Sequence, residues 1–361
     1  MVSPSSAPER RRGGPRSPLP WMLVIAALVG TLGAAGVLRA ADNRTQDVER
    51  IDGLAGVLSD VPDSNDSSIE YPAENYLLVG SDTREGIDPN SPDFGATGNV
   101  DDVTGRRSDT MMILRQERNG GAALMSLPRD LWLEIAGTGK SQRINSAYNE
   151  GPERLAATIT QSLGIPVHHY VEVDFVGFKQ IIDRLGGVEV CVPDMARDIN
   201  SGLVLDPGCQ VLGGVQALAY ARSRHYQQWN GTDWEEDPRA DLGRIERQQL
   251  FMRAAVNGAL GKLQSSPFGS GDTIQAVIDS VRIDDRLDPI RAADALRSAA
   301  KAGLRTYALP VVNDTVGDAA ILRLGDDADE LLAYFSGRGP APVQFETGTT
   351  VVPTDTTVPA G

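Results

Sequence analysis

Lysine, histidine and cysteine are scarce in this sequence, and acidic residues outnumber basic ones. The 361 residues include 34 Lys and Arg against 49 Asp and Glu, for a net charge of −15, and only four of the basic residues are lysines. A surface that neutralises nucleic-acid phosphates normally appears as a basic domain or stripe, so nucleic acid is not expected as a partner. Any anion-binding site must therefore be a local cluster of arginines.

Cysteine occurs twice and histidine three times, without the Cys/His spacing of a zinc site. Cys191 and Cys209 lie in a segment that we expect outside the cytoplasm, where oxidising conditions favour a disulfide. Such a bond would link the ends of an irregular loop containing Pro193, Pro207 and Gly208, and would contribute roughly 3 kcal/mol by the chain-entropy argument. Two buried free thiols are the alternative.

Charged residues are absent from one apolar stretch near the N-terminus, residues 21–38, which follows an arginine-rich segment. As a helix this stretch would be about 27 Å long, enough to cross a bilayer. The arginines predict a cytoplasmic N-terminus at residues 1–20 and an extracytoplasmic remainder anchored by a single membrane pass. A cleaved signal peptide is the alternative, because small residues at 34–36 lie near its end, although a signal-peptide core is usually shorter.

Composition also divides the rest of the chain. Residues 39–70 are polar and predict a flexible linker. Residues 71–336 carry the pattern of a folded domain. The segment 337–361 repeats Pro, Thr, Gly and Val without helical or strand periodicity, which predicts a disordered tail.

Short apolar runs alternate with helical periodicity inside the predicted domain. Strands are predicted at 75–79, 110–114, 122–127, 170–173 and 187–192. Helices are predicted at 153–163, 175–185 and 242–263, the last with Asp241 as its N-cap. This interleaving predicts an α/β fold with a central sheet flanked by helices in α-β-α layers. The uneven spacing of the strands favours a mixed sheet over a purely parallel one.

Aspartates and arginines are concentrated where predicted strands begin or end, positions from which loops present side chains to a cleft. Asp82 and Arg84 follow the first strand, Arg107 and Asp109 lead into the second, and Arg129 follows the third. Mg²⁺ accepts one or two carboxylates and leaves its other positions to water and phosphate oxygens. Asp82 and Asp109 are therefore candidate ligands for Mg²⁺, with Mn²⁺ as an alternative.

Further polar residues occur in later turns and at the start of the last predicted helix. They are Arg143, Asn145, Tyr148, Arg222, Arg224, Arg244, Arg247 and Gln248. Because the planar guanidinium of arginine suits bidentate phosphate binding, several arginines around two aspartates predict a site for a pyrophosphate with a metal ion. Each of these fragments alone is also explained by a surface ion pair or a solvated helix face.

These segments together resemble one known family, the LytR-CpsA-Psr proteins. The resemblance covers residues 75–251 and is carried, in the family's order, by NYLLVGSDTREG, RRSDTMMIL, LMSLPRDLWLEI, RINSAYNEG, VEVDFVGFKQIIDRLGGVEV, QALAYARSRH and DLGRIERQQ. It implies a membrane-anchored, extracytoplasmic phosphotransferase. Such an enzyme moves an anionic glycopolymer, of the arabinogalactan, teichoic acid or capsule type, from polyprenyl pyrophosphate to peptidoglycan.

The resemblance also implies roles for individual residues. Asp82 and Asp109 would hold the metal ion. The pyrophosphate would be bound by Arg84, Arg107, Arg129, Arg222 and Arg224, with Arg244 and Gln248 completing the rim. Weaker substrate contacts would come from Arg143, Asn145, Tyr148 and Arg247. The polyprenyl tail would lie in an apolar tunnel lined from residues 155–190 and 245–263, which periodicity alone assigns to ordinary core.

Two insertions depart from the simplest family pattern. Residues 88–102 separate the first two motifs, and residues 226–239, with Trp229 and Trp234, lengthen the loop before the last predicted helix. Both are expected to shape the cleft that receives the acceptor.

Two other functions fit the same residues. A non-catalytic protein could bind a lipid-linked precursor or act as an envelope scaffold, although paired aspartates would repel an anionic ligand unless a cation lay between them. A pyrophosphohydrolase would use water as the acceptor. In the transferase, the base that takes the proton of the acceptor hydroxyl is expected to be Asp82, Asp109 or Asp241, which the sequence does not rank. Transcriptional regulation conflicts with a cytoplasmic segment of only about twenty residues.

Overall fold

The computed structural model describes residues 48–62, 73–81, 108–118, 121–238, 243, 247, 280–288 and 304–342. The strands are β1 (Glu49–Ile51), β2 (Ala73–Ser81), β3 (Ser108–Glu117), β4 (Ala122–Leu127), β5 (Trp132–Ile135), β6 (Lys140–Arg143), β7 (His169–Val173), β8 (Val188–Val192), β9 (Ala196–Asp198), β10 (Leu203–Leu205), β11 (Gly208–Leu212), β12 (Gln227–Trp229), β13 (Trp234–Glu236), β14 (Arg282–Asp284), β15 (Leu304–Ala308), β16 (Val311–Val316) and β17 (Ala319–Leu324). The helices are α1 (Ile144–Asn149), α2 (Pro152–Leu163), α3 (Phe175–Leu185), α4 (Gly214–Arg222) and α5 (Ala328–Phe335).

A seven-stranded sheet in the order β1-β14-β7-β2-β3-β4-β15 forms the centre of the fold. Its pairs β2–β7, β4–β15 and β1–β14 are parallel, whereas β2–β3, β3–β4 and β7–β14 are antiparallel. The prediction of a mixed central sheet is therefore confirmed. Each of the five predicted strands lies within or overlaps an observed one, and the first two predicted helices correspond to α2 and α3.

One edge of this sheet collects the chain segments that carry the predicted site. Because β2 and β7 run in the same direction and β3 runs opposite to both neighbours, β2, β4 and β7 end where β3 begins. We call this the front edge. It brings together the surroundings of Ser81, Ser108, Leu127 and Val173, which are far apart in sequence.

Side chains from alternate positions of the central strands build the main core. Leu77 and Ile113, both fully buried, belong to one apolar cluster with Leu155 and Ile159 of α2 and with Phe335 of α5. This packing fixes α2 and α5 against one face of the sheet. The second helical layer of the predicted α-β-α arrangement remains a prediction, because residues 242–263 are described only at 243 and 247.

A separate apolar cluster holds α3, α4 and strands β8 to β11 together. Within it the structure links Cys191 to Cys209 by a disulfide, as predicted. The two cysteines lie directly opposite each other on the antiparallel strands β8 and β11. The expectation of an irregular loop between them was wrong, because the intervening chain forms the antiparallel pair β9–β10.

The folded region begins earlier than the sequence analysis predicted. β1 pairs in parallel with β14, and Val48, Ile51 and Leu54 are buried in the apolar clusters. The predicted linker at 39–70 is therefore wrong over residues 48–62. The apolar residues of this segment alternate irregularly with charged residues and glycines, so its sequence shows no clear helical or strand periodicity. No helix among the described residues is both long and apolar enough to cross a bilayer. The predicted transmembrane segment, residues 21–38, lies outside them.

His168 is a buried histidine just before β7, with 1 % of its surface exposed. Its Nδ1 accepts a hydrogen bond from the backbone N–H of Asn75 at 2.8 Å. A protonated imidazole has no acceptor nitrogen, so this bond requires the neutral form. Burial lowers the pKa of His168 to about 4, with further lowering by the charges of His169, Arg115 and Arg286.

This buried histidine predicts acid sensitivity of the fold. The unfolded chain takes up a proton near pH 6.5 and the folded one only near pH 4, so stability falls as pH drops through this window. The loss amounts to about 3 kcal/mol at the acid end. His168→Gln keeps an acceptor without a titrating group, and we expect the free energy of unfolding to depend less on pH between 6.5 and 4.

Urea unfolding of the full-length chain at several pH values measures the effect. His225→Gln is the matched control, because His225 is exposed and paired with Glu236 at 2.8 Å. A His168→Gln variant that loses stability as steeply as the wild type over this window would refute the assignment.

Candidate functional site

The pairing of β2 with β3 contains an irregularity at the front edge. Gly80 lies opposite Thr110, but Ser81 lies opposite Ser108, so Asp109 is an extra residue on β3 with no partner position on β2. Bulges of this kind re-aim a side chain and are frequent beside active sites. Asp82, Arg84 and Arg107 lie outside the described residues, as does the side chain of Asp109.

Helix α1 braces the strand ends at this edge. The Tyr148 hydroxyl donates to Ser81 Oγ at 2.9 Å, and Asn145 Oδ1 accepts from the backbone N–H of Ser108 at 3.1 Å. The N–H of Asn145 donates to the carbonyl of Arg129 at 3.2 Å. Tyr148 is fully buried. Both side chains therefore hold the ends of β2 and β3. The predicted substrate contact of buried Tyr148 is replaced by this structural role, whereas that of half-buried Asn145 stays a prediction.

Arg129 lies just past the end of β4, half-buried, and shares a carboxylate with Arg143. Its Nε is 3.4 Å from Asp130 Oδ2, and Arg143 Nε is 3.2 Å from Asp130 Oδ1. Arg143 also donates to the carbonyl of Ala320 at 2.7 Å, in the β16–β17 hairpin. One carboxylate between two guanidinium groups leaves a net positive charge here. Asp130 belongs to the motif LMSLPRDLWLEI, but the sequence alone assigns it no role.

Arg222, the last residue of α4, is brought to the same edge by an aromatic ring. Its guanidinium carbon lies 4.5 Å from the centroid of Phe175, the first residue of α3, which follows β7 closely. Gly214 makes this approach of α4 to α3 feasible, because a Cβ there would meet Lys179 Cα at 2.7 Å. A cation–π contact orients the guanidinium without using an N–H donor, which suits an anion-binding arginine.

The turn that carries Arg222 and Arg224 is organised by a buried carboxylate, Asp198 at the end of β9. Asp198 Oδ2 accepts from Ser223 Oγ at 2.7 Å and from the backbone N–H groups of Arg224 and His225, both at 3.0 Å. Its Oδ1 accepts from the N–H of Asn200 at 2.9 Å. One side chain therefore fixes three consecutive residues after α4.

Asp198 is 1 % exposed, yet it remains ionised. Burial by itself would raise the pKa of this carboxyl, but the hydrogen bonds from Ser223, His225 and Asn200 outweigh it and lower the pKa. Sequence analysis missed Asp198 because it belongs to no motif. Its only sequence signal is an aspartate followed by Asn200 and Ser201, a turn-forming pattern that is common in loops.

Arg247 supports the same turn from the other side. It donates to Asp237 Oδ2 at 3.0 Å and to the carbonyl of Ser223 at 2.7 Å, and its guanidinium carbon lies 4.5 Å from the ring centroid of Tyr226. The side chain is 7 % exposed. The prediction that Arg247 contacts substrate is therefore corrected: it is buried and holds the turn in place.

The structure thus brings Arg129, Arg222 and the backbone of Asp109 to the front edge, and places Arg224 on the turn fixed by Asp198. Arg244 and Gln248 lie outside the described residues. Among the described residues, potential metal ligands converge only at Glu189, Cys191 and Cys209, where the two sulfurs are bonded to each other.

Comparison with known proteins identifies the family of this chain. The model of the LytR_cpsA_psr family matches residues 53–332, more than half of the sequence. This chain belongs to the LytR-CpsA-Psr family. The match begins before β2 and ends within α5, so the central sheet except β1, the front edge and the disulfide-linked strands belong to the family domain.

Curated relatives come from actinobacteria and bacilli. The chain is 30 % identical to the probable cell wall biosynthesis protein LcpB of Corynebacterium glutamicum over 267 residues, covering 73 % of this chain and 61 % of LcpB. It is 37 % identical to the polyisoprenyl-teichoic acid–peptidoglycan teichoic acid transferase TagU of Bacillus mycoides, over 49 % of this chain and 54 % of TagU. The chain therefore aligns with little more than half the length of these relatives.

Solved structures of this LytR-CpsA-Psr fold agree with the architecture described above. The LytR-Csp2A-Psr enzyme from Actinomyces oris superposes with a TM-score of 0.60 and 25 % identity, covering 80 % of this chain and 96 % of that one. TagT bound to LIIa-WTA superposes with a TM-score of 0.52 and 21 % identity, over 73 % of this chain and 91 % of TagT, which shows a shared fold.

Asp198→Asn should destabilise this family domain. A carboxamide offers one oxygen, and its NH₂ would face donors that now bind the second carboxylate oxygen, so we expect a loss of roughly 2–4 kcal/mol in the free energy of unfolding. Urea unfolding of the full-length chain measures it. Asp206→Asn is the control, because Asp206 is exposed and should change stability by less than about 0.5 kcal/mol. Equal stability of both variants would contradict the role given to Asp198.

Proposed function

We propose that this protein transfers an anionic glycopolymer, with its phosphate, from polyprenyl pyrophosphate to peptidoglycan during cell wall assembly. The observation that carries the proposal is the arrangement at the front edge. In sheet order, Arg222 lies over Phe175 beside the end of β7, bulged Asp109 begins β3, and Arg129 follows β4. This placement surrounds an acidic position with guanidinium groups, the pattern expected for a diphosphate bound with a cation.

The names of two relatives support the same chemistry. TagU is a teichoic acid transferase that acts on a polyisoprenyl-linked polymer and peptidoglycan, and TagT has been observed bound to a wall teichoic acid precursor, LIIa-WTA. LcpB is described as a probable cell wall biosynthesis protein. The polymer moved by this chain is left open between arabinogalactan, teichoic acid and capsule.

The proposed reaction breaks a phosphoanhydride bond and forms a phosphate ester bond. An acceptor hydroxyl oxygen attacks the phosphorus that carries the glycan, the P–O–P bridge breaks, and polyprenyl phosphate leaves with the bridging oxygen. Negative charge develops on the leaving phosphate, and preorganised guanidinium groups stabilise it without reorganisation. We assign this to Arg129, Arg222 and Arg224, with Arg84, Arg107, Arg244 and Gln248 as further contacts from the sequence. The hydroxyl proton passes to an aspartate, of which Asp82, Asp109 and Asp241 are the candidates.

A divalent cation, Mg²⁺ or Mn²⁺, is part of the proposal, with Asp82 and Asp109 as its ligands. The bulge supports this, because it gives Asp109 a position that the regular ladder would not, directly beside Ser81, the residue before Asp82. When bound, the cation would neutralise charge on the pyrophosphate oxygens. We further propose that residues 21–38 anchor the chain in the membrane with the family domain outside the cytoplasm.

Transfer by the full-length chain is the direct test. In detergent micelles with a short-chain polyprenyl-pyrophosphoryl saccharide, a peptidoglycan oligomer and Mg²⁺, mass spectrometry should detect glycan phosphate on the oligomer. Arg129→Ala should lower the rate at least 100-fold, in the range of other removed charge-stabilising groups. Arg118→Ala is the matched control, because Arg118 is exposed beyond the opposite end of β3 and should leave the rate unchanged.

The same assay separates the two alternatives. Release of free phosphorylated glycan at equal rates with and without the oligomer would replace the transferase by a pyrophosphohydrolase. Tight binding of the lipid without turnover, unchanged by Mg²⁺, would favour a precursor-binding or scaffold protein.

Metal dependence makes a separate prediction. Chelation with EDTA should stop transfer, and added Mg²⁺ or Mn²⁺ should restore it in the wild type. Asp109→Asn removes one proposed charged ligand, so the Mg²⁺ concentration for half-maximal rate should rise at least tenfold. Asp130→Asn is the comparison, because Asp130 contacts Arg129 and Arg143 and is assigned no metal; its half-maximal Mg²⁺ concentration should stay close to wild type. An unchanged Mg²⁺ requirement in Asp109→Asn would refute the ligand assignment.

A further inference from the structure

A groove of about 380 Å³ lies on the β12–β13 hairpin. It is beside residues 223–225, the turn fixed by Asp198, which we call the arginine turn. It is lined by Asp194, Gln228, Trp229, Asn230, Glu235, Glu236, Asp237 and Pro238. Its volume falls within the range of small-molecule sites. The hairpin belongs to the insertion at 226–239, which the sequence predicts to shape the acceptor cleft but to which the steps of the transfer reaction assign no residue.

The aromatic side chain in this groove is held in place before any ligand binds. Trp229 and Trp234 lie opposite each other on β12 and β13, with ring centroids 5.6 Å apart in an edge-to-face arrangement. The guanidinium carbon of Arg197 lies 4.0 Å from the Trp234 ring centroid, and Arg197 is itself held by Gln227 at 2.9 Å. Trp229 therefore offers a large, rigid, partly exposed aromatic surface at little entropic cost.

Polar groups surround this ring. The side chains of Asp194 and Glu235 are exposed and make no hydrogen bond or ion pair with the described part of the chain. Gln228 and Asn230 add carboxamides. The Oδ1 of Asn230 already accepts from the N–H groups of Thr232 and Asp233 and from the Thr232 hydroxyl, so Asn230 offers its NH₂ as a donor. Gln228 also hydrogen-bonds the Tyr226 side chain. Hydroxyl groups both donate and accept, so a polyhydroxylated ligand can satisfy carboxylates and amides together, while its C–H face packs on the indole.

The charge of the groove disfavours an anionic ligand, and its geometry does not favour a metal ion. An anionic polymer would be repelled, because four of the eight lining residues are Asp or Glu and the lining includes no Lys or Arg. The geometry does not favour a metal ion either, since the carboxylates here do not form a group of three converging ligands; within the described ranges such a group occurs only at Glu189, Cys191 and Cys209. A neutral sugar ring satisfies both constraints.

The groove is connected to the arginine turn by a short series of hydrogen bonds. Asp237, in its lining, binds Arg247, and Arg247 binds the carbonyl of Ser223, next to Arg224. His225 on the same turn contacts Glu236 at 2.8 Å. A sugar chain seated in the groove therefore lies beside the segment assigned to the reacting phosphate.

We propose that this groove is a subsite for a neutral sugar ring of the acceptor glycan strand, with Trp229 as the stacking surface and Glu235 and Asp194 as hydroxyl acceptors. The inference rests on the proposed transferase, because it names which substrate the insertion binds. The anionic donor polymer is disfavoured by the carboxylates, whereas an N-acetylhexosamine backbone is uncharged.

Calorimetric titration of the full-length chain in detergent micelles with chitotriose, a neutral N-acetylglucosamine trimer, tests the subsite without any lipid substrate. We expect saturable binding that weakens at least tenfold in Trp229→Ala and stays within about threefold of wild type in Trp229→Phe. Glu235→Ala should weaken binding several-fold. Its matched control is Glu134→Ala, because Glu134 is exposed on β5, away from the groove, and should leave binding unchanged.

Three outcomes would overturn the inference: no binding of chitotriose to the wild type, equal binding to Trp229→Ala and the wild type, or preference for a teichoic-acid-type polyol phosphate over the neutral trimer. Glu235→Ala covers the case in which Trp229→Ala fails to fold. The sugar subsite and the transferase fail separately, because Arg129→Ala should bind chitotriose normally. A wild-type chain that binds chitotriose but transfers no glycan phosphate would refute only the function, and a wild-type chain that transfers without binding chitotriose would refute only the subsite.

Discussion

The register between β2 and β3 is the constraint on which the site depends. These two strands form the longest pairing of the central sheet, from Ala73 opposite Glu117 to Ser81 opposite Ser108. A shift by one residue would turn Leu77 and Ile113 out of the core, so burial fixes the register strongly. The irregularity before Ser81 is tolerated because it lies at the front edge, where Asn145 and Tyr148 bind the two strand ends directly.

The carboxylates around this site have two kinds of partner, guanidinium groups and neutral hydrogen-bond donors. Asp130 is shared by Arg129 and Arg143, and Asp237 binds Arg247. Asp198, in contrast, accepts hydrogen bonds from hydroxyl and backbone donors, and within the described part of the chain it makes no ion pair with a guanidinium group. A buried carboxylate saturated by neutral donors can fix the turn after α4 without itself neutralising an arginine.

The sequence predicted the strands and helices that have strong periodicity. β4 and α3 match their predicted bounds, because short apolar runs and a period of 3.6 residues are local signals. β1 was missed, since three residues carry no detectable alternation and owe their strand conformation to β14, more than 230 positions away. β9 and β10, which lie between the cysteines, were also missed, because strands of three residues carry no detectable alternation.

Prediction of the site residues was limited in a similar way, because the direction of a side chain and its distant contacts are not visible in the sequence. Arg129 and Arg222 were predicted as site residues because they lie in ordered motifs at strand and helix ends. Tyr148 and Arg247 were assigned to substrate because sequence shows polarity but not direction: Tyr148 points into the core and Arg247 is buried between Asp237 and Ser223. Phe175 and Asp198 could not be assigned, because each acts through an arginine or a turn brought close only by the packing of α4 on α3.

The insertion at 226–239 adds a surface to the family domain next to the turn that carries Arg224. Its hairpin is added to β9 through the β12–β9 pairing, and β9 is the strand that ends in Asp198. The same strand therefore supports the arginine turn at one end and the Trp229 hairpin along its edge. Because both depend on β9, the groove keeps a fixed relation to the arginine turn. Under the proposed function, changes in the exposed groove residues would alter acceptor preference while the buried carboxylate of Asp198 keeps the arginine turn in place.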